Sequence, residues 1–171
     1  YVAQLAHEAG LPNGVLNVIN GGKEVVDVLL TDPAIKAASF VGSTPVAEAV
    51  YSKATDEGKR CQALGGAKNH AIVMPDADLP NVVQALMGAA FGSSGERCMA
   101  ISVAVAVGHQ TATDLVANLK TEMAGLKIGG PKDNNNDFGP LISAEHKAKV
   151  ISLIDSAREE GAQIVVDGRA P

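Results

Sequence analysis

Lys36-Ala37-Ala38-Ser39-Phe40-Val41-Gly42-Ser43-Thr44-Pro45, running on to Thr55, decides the fold. Lys36 to Val41 reads as a strand, Gly42-Ser43-Thr44 as a tight turn, and Pro45 to Thr55 as a helix. A strand fed directly into a helix is the repeating unit of a parallel sheet, because parallel neighbours need a crossover and a helix supplies one.

The alternation extends both ways along the chain. Upstream, residues 1–10 read as the end of a helix, with Val2, Leu5, Ala6 and Ala9 on one face. Val15 to Ile19 follows as a β-rich run and Lys23 to Leu30 as a helix closed by Asp32-Pro33. Downstream, Ala71 to Met74 is a short strand and Leu79 to Phe91 a helix with Leu79, Val82, Val83, Leu86 and Ala90 on one stripe. Ile101 to Val107 is apolar apart from Ser102 and is expected to be a strand buried on both faces. Thr111 to Leu126 and Ser143 to Glu160 are further helices, with Ser143 placed as an N-cap and Gly161 as a stop; Gln163 to Val166 is a last expected strand. The polar run Asp133 to Asp137 reads as a surface loop. The fold class is α/β.

Composition excludes several classes of function. The chain has 171 residues, 46% of them hydrophobic, and 14 Lys+Arg against 19 Asp+Glu give a formal net charge of −5. A chain of this length buries about 70% of its unfolded surface, enough for a real core. The acidic balance lacks the basic face that a nucleic-acid binder needs, and the apolar runs are far too short to span a bilayer. Two cysteines, Cys61 and Cys98, are too few for a disulfide scaffold. No basic-then-apolar leader opens the sequence at Tyr1, and it stops at Pro171 just after an apolar run that needs a partner. We therefore read it as an internal piece of a longer polypeptide, with any targeting segment out of view.

Cys98 carries the strongest hint of chemistry. It ends Phe91-Gly92-Ser93-Ser94-Gly95-Glu96-Arg97-Cys98, where a helix gives way to a Gly- and Ser-rich segment that lets backbone approach a ligand. A free thiol is only a few per cent thiolate at neutral pH, and a neighbouring cation raises that fraction. Arg97 is adjacent. Read alone, a cysteine is more often a buried small hydrophobe than a nucleophile.

Four motifs in order resolve that choice. Phe91-x-x-x-Gly95-x-x-Cys98 resembles the cysteine signature of the NAD(P)-dependent aldehyde dehydrogenase superfamily, and Leu64-Gly65-Gly66-Ala67-Lys68 resembles its Glu-Leu-Gly-Gly-Lys motif. Phe40-Val41-Gly42-Ser43-Thr44 is similar to its Phe-Thr-Gly-Ser-Thr turn, and Lys127-Ile128-Gly129 with Gly139-Pro140 to its later glycine landmarks. The finer resemblance is to the methylmalonate-semialdehyde (malonate-semialdehyde) dehydrogenase branch, through Gly66-Ala67-Lys68-Asn69-His70, Val73 to Ala77, and Gly88 to Gly92 leading into Gly95 to Ala100.

The resemblance implies an aldehyde dehydrogenase-like fold: the C-terminal part of a Rossmann-like NAD-binding domain over residues 1–62 and part of a cysteine-bearing catalytic domain over 63–171. It implies Cys98 as the nucleophile and NAD as cofactor, with Gly42, Ser43 and Gly65 lining the dinucleotide. Arg97 is implied to grip the carboxylate of a semialdehyde, the alternative being a structural salt bridge to a neighbouring helix. The superfamily's oxyanion asparagine falls before Tyr1 and a cofactor-contacting glutamate beyond Pro171. A homo-oligomeric parent, dimer or tetramer, is implied as well, bacterial-cytoplasmic or else mitochondrial, without nucleic-acid or membrane partners. The superfamily's second turn glycine falls at Ala47, a departure from the pattern.

The larger departure concerns a base. Hydrolytic members of the superfamily carry a glutamate four residues before the motif lysine to activate water against the thioester. That position is Leu64 here, or Ala63 if the Leu-Gly-Gly letters are aligned instead. Neither can accept a proton. The thioester is then expected to persist until the thiol of coenzyme A, a co-substrate in this branch, attacks it. An ordinary hydrolytic enzyme with its base elsewhere, and a family member without turnover, are the competing readings. Glu96 stands near the nucleophile, but the superfamily makes no catalytic use of that position. Lys68 reads as structural, His70 as a hydrogen-bonded packing residue and Cys61 as a core or boundary thiol. His7, His109 and His146 are too scattered for a metal site.

Overall fold

The computed structural model describes residues 1–130 and 132–169; the chain end at Ala170 and Pro171 lies outside them. Its elements are α1 (Val2–Glu8), α2 (Lys23–Thr31), β1 (Ala37–Val41), α3 (Thr44–Asp56), β2 (Arg60–Leu64), β3 (Asn69–Val73), α4 (Leu79–Leu86), β4 (Ile101–Ala106), α5 (His109–Met123) and α6 (Ala144–Glu159). They group into two units, Tyr1–Gly66 and Ala67–Pro171. β2, paired in parallel with β1 through Leu64, belongs whole to the first unit.

In the first unit β1 runs parallel to β2, with Ala37 opposite Arg60 and Val41 opposite Leu64, and α3 is the crossover between them. Leu30, Val50 and Ala54 form its buried centre, against which Ala38, Phe40 and Cys61 pack, so Cys61 is the boundary thiol the sequence suggests. Lys59 is buried beside this core and donates from Nζ to the carbonyls of Leu29 (3.2 Å) and Asp32 (2.5 Å). A cation there closes the negative end of α2.

In the second unit β3 runs parallel to β4, and Val73, Val83, Leu86 and Leu115 bring α4 and α5 onto one face of the pair. Asp78 caps α4 by accepting from the Asn81 N–H, and Ser143 caps α6 by accepting from the His146 N–H at 3.1 Å, as its sequence position predicts. Gly161 ends α6 with φ +92°, a conformation that suits glycine.

Four expectations are corrected. Val15 to Ile19 is not a strand: no described strand pairs with it, and Val15, Leu16, Val18 and Ile19 are exposed. Gln163 to Val166 is likewise unpaired and irregular. β4 is not buried on both faces: Ser102, Ala104 and Val105 are exposed, and none of its residues is fully buried. The helix expected over Leu79 to Phe91 is α-helical only to Leu86, then widens to a π turn at Met87–Phe91, beyond which the backbone kinks out of helical conformation at Ser93 and Ser94. One strand, β2, was not expected: Arg60-Cys61-Gln62-Ala63-Leu64 lacks the β-branched residues that advertise a strand.

Candidate active site

The change of helix type after Leu86 delivers the segment that carries Cys98. Beyond the π turn, Ser93 (φ 54°) and Ser94 (φ 56°) adopt left-handed backbone, followed by Gly95 at φ 72°. Two non-glycine residues there cost about 1 kcal/mol each, so neighbouring contacts must hold them. Ser94 Oγ donates to the Gly139 carbonyl at 2.6 Å, which ties this stretch to the later glycine landmark. Glu96 Oε1 lies 3.1 Å from His146 Nε2 and ties it to the first turn of α6.

Cys98 follows as a free, exposed cysteine. Both peptide planes that flank it are fixed. The Ala100 N–H donates to the Arg97 carbonyl at 3.0 Å, closing a turn around Cys98 and Met99. Asn69, at the start of β3, donates from Nδ2 to the Cys98 carbonyl at 2.9 Å and to the Ala100 carbonyl at 3.0 Å. Among the described residues no acceptor takes the Cys98 N–H. A presented thiol beside an unengaged N–H can add to an electrophilic carbon and stabilise the oxyanion that forms.

Arg97 turns back over the π segment. Its guanidinium donates to the Gly88 carbonyl, and a methyl at Gly92 would collide with it, so glycine makes room for this side chain. The contact is to backbone rather than to an acidic residue of a neighbouring helix. A guanidinium has five N–H donors, so one bond to Gly88 leaves others for a carboxylate. Gly88 and Gly92 also line an open cleft of about 480 Å³, together with Gln84, Met87, Glu122 and Phe138.

In the first unit the remaining expected residues meet at the C-terminal end of β1 and β2. The Gly42 N–H extends the ladder by donating to the Leu64 carbonyl at 3.1 Å, and Ser43 is the N-cap residue of α3 with its hydroxyl unused in capping. Thr44 Oγ1 accepts from the Gly66 N–H at 3.0 Å. A Cβ on Gly65 would lie 2.8 Å from Thr44 Oγ1 and 3.2 Å from Thr44 Cα, so only glycine allows this close approach. Strand ends feeding a helix N-terminus are where parallel sheets bind the phosphates of a nucleotide, since the helix offers unpaired N–H groups and a positive dipole end. The turn fits a dinucleotide phosphate. Ala47, at the departure from the glycine pattern, is buried one turn into α3, and its methyl packs inward.

His70 Nδ1–H donates to the Lys68 carbonyl at 2.7 Å. Among the described residues no cluster of His, Cys, Asp or Glu could hold a metal ion. Asn69 stands inside the Gly66 to His70 motif, but the sequence assigns it no site role, because its reach to Cys98 depends on register.

The profile of the aldehyde dehydrogenase family matches residues 1–171. Malonate-semialdehyde dehydrogenase of Pseudomonas aeruginosa is 61% identical over 98% of the chain, which spans 34% of that protein; the chain thus covers about a third of the curated relatives it matches. The crystal structure of methylmalonate-semialdehyde dehydrogenase from Oceanimonas doudoroffii superposes with a TM-score of 0.95 at 63% identity, covering all of this chain and 35% of that one. A candidate methylmalonate-semialdehyde dehydrogenase from Sinorhizobium meliloti, solved with NAD, gives 0.93 at 55% identity over 99% of this chain and 35% of its own.

Proposed function

The chain belongs to the aldehyde dehydrogenase family, and from that premise we propose that it carries the nucleophile of a NAD-dependent, CoA-acylating dehydrogenase of malonate or methylmalonate semialdehyde. The observation that carries the reading is the exposed Cys98 thiol on a turn whose two peptide planes are both fixed. The names of the Pseudomonas and Oceanimonas relatives support the substrate class.

Cys98 Sγ, as thiolate, adds to the aldehyde carbon; a C–S bond forms and the carbonyl electron pair becomes an oxyanion, for which the Cys98 N–H is a donor. Ser43, Gly42 and Gly65 would hold NAD at the head of α3, and bound NAD supplies the acceptor for the hydride lost from that carbon. Cys98 is left as a thioester. Arg97 retains donors for the carboxylate at the far end of the substrate.

Deacylation follows from what is missing at Leu64. Neither Leu64 nor Ala63 can take a proton from water, so the thioester persists until the thiol of coenzyme A displaces Cys98 Sγ as leaving group. For a malonate-type substrate the carboxylate departs as carbon dioxide. Its C–C electron pair takes up a solvent proton, and the product is acetyl- or propionyl-CoA.

The test is NADH formation by the intact protein with malonate semialdehyde, with and without coenzyme A. Steady turnover only with coenzyme A is expected. Equal rates in both mixtures would return the protein to the hydrolytic class, and no NADH in either would remove the activity.

A further inference from the structure

We propose that Asn69 is the positioning residue of the Cys98 nucleophile, a role that rests on the function proposed above. Its carboxamide Nδ2 bridges two carbonyls, those of Cys98 (2.9 Å) and Ala100 (3.0 Å), on either side of the exposed Met99. The peptide before Cys98 is already held by the Ala100 N–H on the Arg97 carbonyl at 3.0 Å. Asn69 holds the peptide after it. With both planes fixed, the direction of the Cys98 Cα–Cβ bond and of its N–H are fixed together.

The sheet contains the device that aims Asn69. Asn69 pairs with Ile101, but the next residue, His70, pairs with Val103, so Ser102 is an extra residue on β4 and the register breaks between Asn69 and His70. A bulge of this kind re-aims the side chain beside it. It falls where the asparagine leaves the ladder and reaches back to the turn. The left-handed backbone at Ser93 and Ser94 lies on the other approach to Cys98. Asn69 is half-buried, so its two bonds are partly shielded from competing water.

The experiment uses the intact protein and the variants Asn69→Asp and Asn69→Ala. Aspartate keeps the shape but has no donor and sets a carboxylate against two carbonyl oxygens; alanine removes the bridge without repulsion. Three quantities are read: kcat and KM with malonate semialdehyde and coenzyme A, NAD affinity, and the rate at which iodoacetamide alkylates Cys98. A misdirected nucleophile loses kcat by about 10- to 100-fold. KM, NAD affinity and alkylation by a small, orientation-tolerant reagent should stay within about threefold, showing a folded protein with an accessible thiol. Unchanged kcat in both variants overturns the assignment. Joint loss of kcat, NAD binding and alkylation in both also overturns it, since Asn69 would then serve only the fold. Failure of the underlying reading shows separately, as absence of NADH from the unsubstituted protein.

Discussion

Glu96 Oε1 lies 3.1 Å from Nε2 of His146, so the only carboxylate in the Gly95 to Ala100 segment is paired with the first turn of α6. A carboxylate held 3.1 Å from an imidazole nitrogen is poorly placed to serve as a general base in deacylation. Its work is to anchor the turn. We expect Glu96→Gln, which can still contact His146, to keep CoA-dependent turnover within about threefold. A fall of the 10²- to 10⁴-fold size typical of a lost base would assign that role to Glu96.

Leu64 ends β2 with half of its side chain exposed. If its lack of a proton acceptor is what protects the thioester, Leu64→Glu should let water compete with coenzyme A. The expected result is at least a tenfold rise in NADH formation without coenzyme A, a cautious fraction of what a general base contributes. No rise, with CoA-dependent turnover intact, would show that the missing glutamate does not set the choice of acceptor.

Gly65 touches the start of α3 too closely for a side chain, with a Cβ falling 2.8 Å from Thr44 Oγ1. Gly65→Ala therefore pushes the strand end away from the helix N-terminus and weakens the bond from the Gly66 N–H to Thr44. NAD affinity should fall about tenfold, an energetic change of about 1.4 kcal/mol. Iodoacetamide should still alkylate Cys98 at its former rate. Unchanged NAD affinity in a titration would remove this turn from the dinucleotide site.

Asp27 joins α2 to α3 by accepting from Lys23 (2.5 Å) and Lys53 (2.9 Å). The hydrogen bond from Lys23, then that from Lys53, holds its pKa below the ordinary 3.8. A carboxylate with a depressed folded pKa stabilises the native state above its unfolded pKa. That contribution is lost as pH falls below 3.8 towards and through the folded value. Acid titration of Asp27→Asn by circular dichroism should show a shallower loss of stability below pH 4 than the unsubstituted protein. Because the group is exposed, the difference will be small and will shrink in salt. Identical acid profiles at low ionic strength would contradict the pairing.

The legible parts of the sequence were those where local chemistry and tertiary packing agree. Lys36 to Thr55 gave a strand, turn and helix because its apolar period and its proline point the same way, and Ser143 gave a cap because its hydroxyl reaches its own helix. Cys98 stood out through the glycines and serines before it. What stayed hidden depended on partners distant in sequence. β2 exists because β1 lies beside it, not because Arg60-Cys61-Gln62-Ala63-Leu64 favours extension. Val15 to Ile19 has strand composition but no described partner, and composition alone closes no ladder. The tether from Asn69 to Cys98 needed a register break at Ser102 that no period in β3 or β4 reveals.

The central claim is that Cys98 holds the acyl group until coenzyme A removes it. The direct measurement is mass spectrometry of the Cys98 peptide after mixing the intact protein with NAD and malonate semialdehyde without coenzyme A, then adding it. An acyl adduct on Cys98 that persists in the first mixture and vanishes on addition, with acyl-CoA appearing, is the predicted result. No adduct on Cys98, or one lost equally fast with and without coenzyme A, would contradict it.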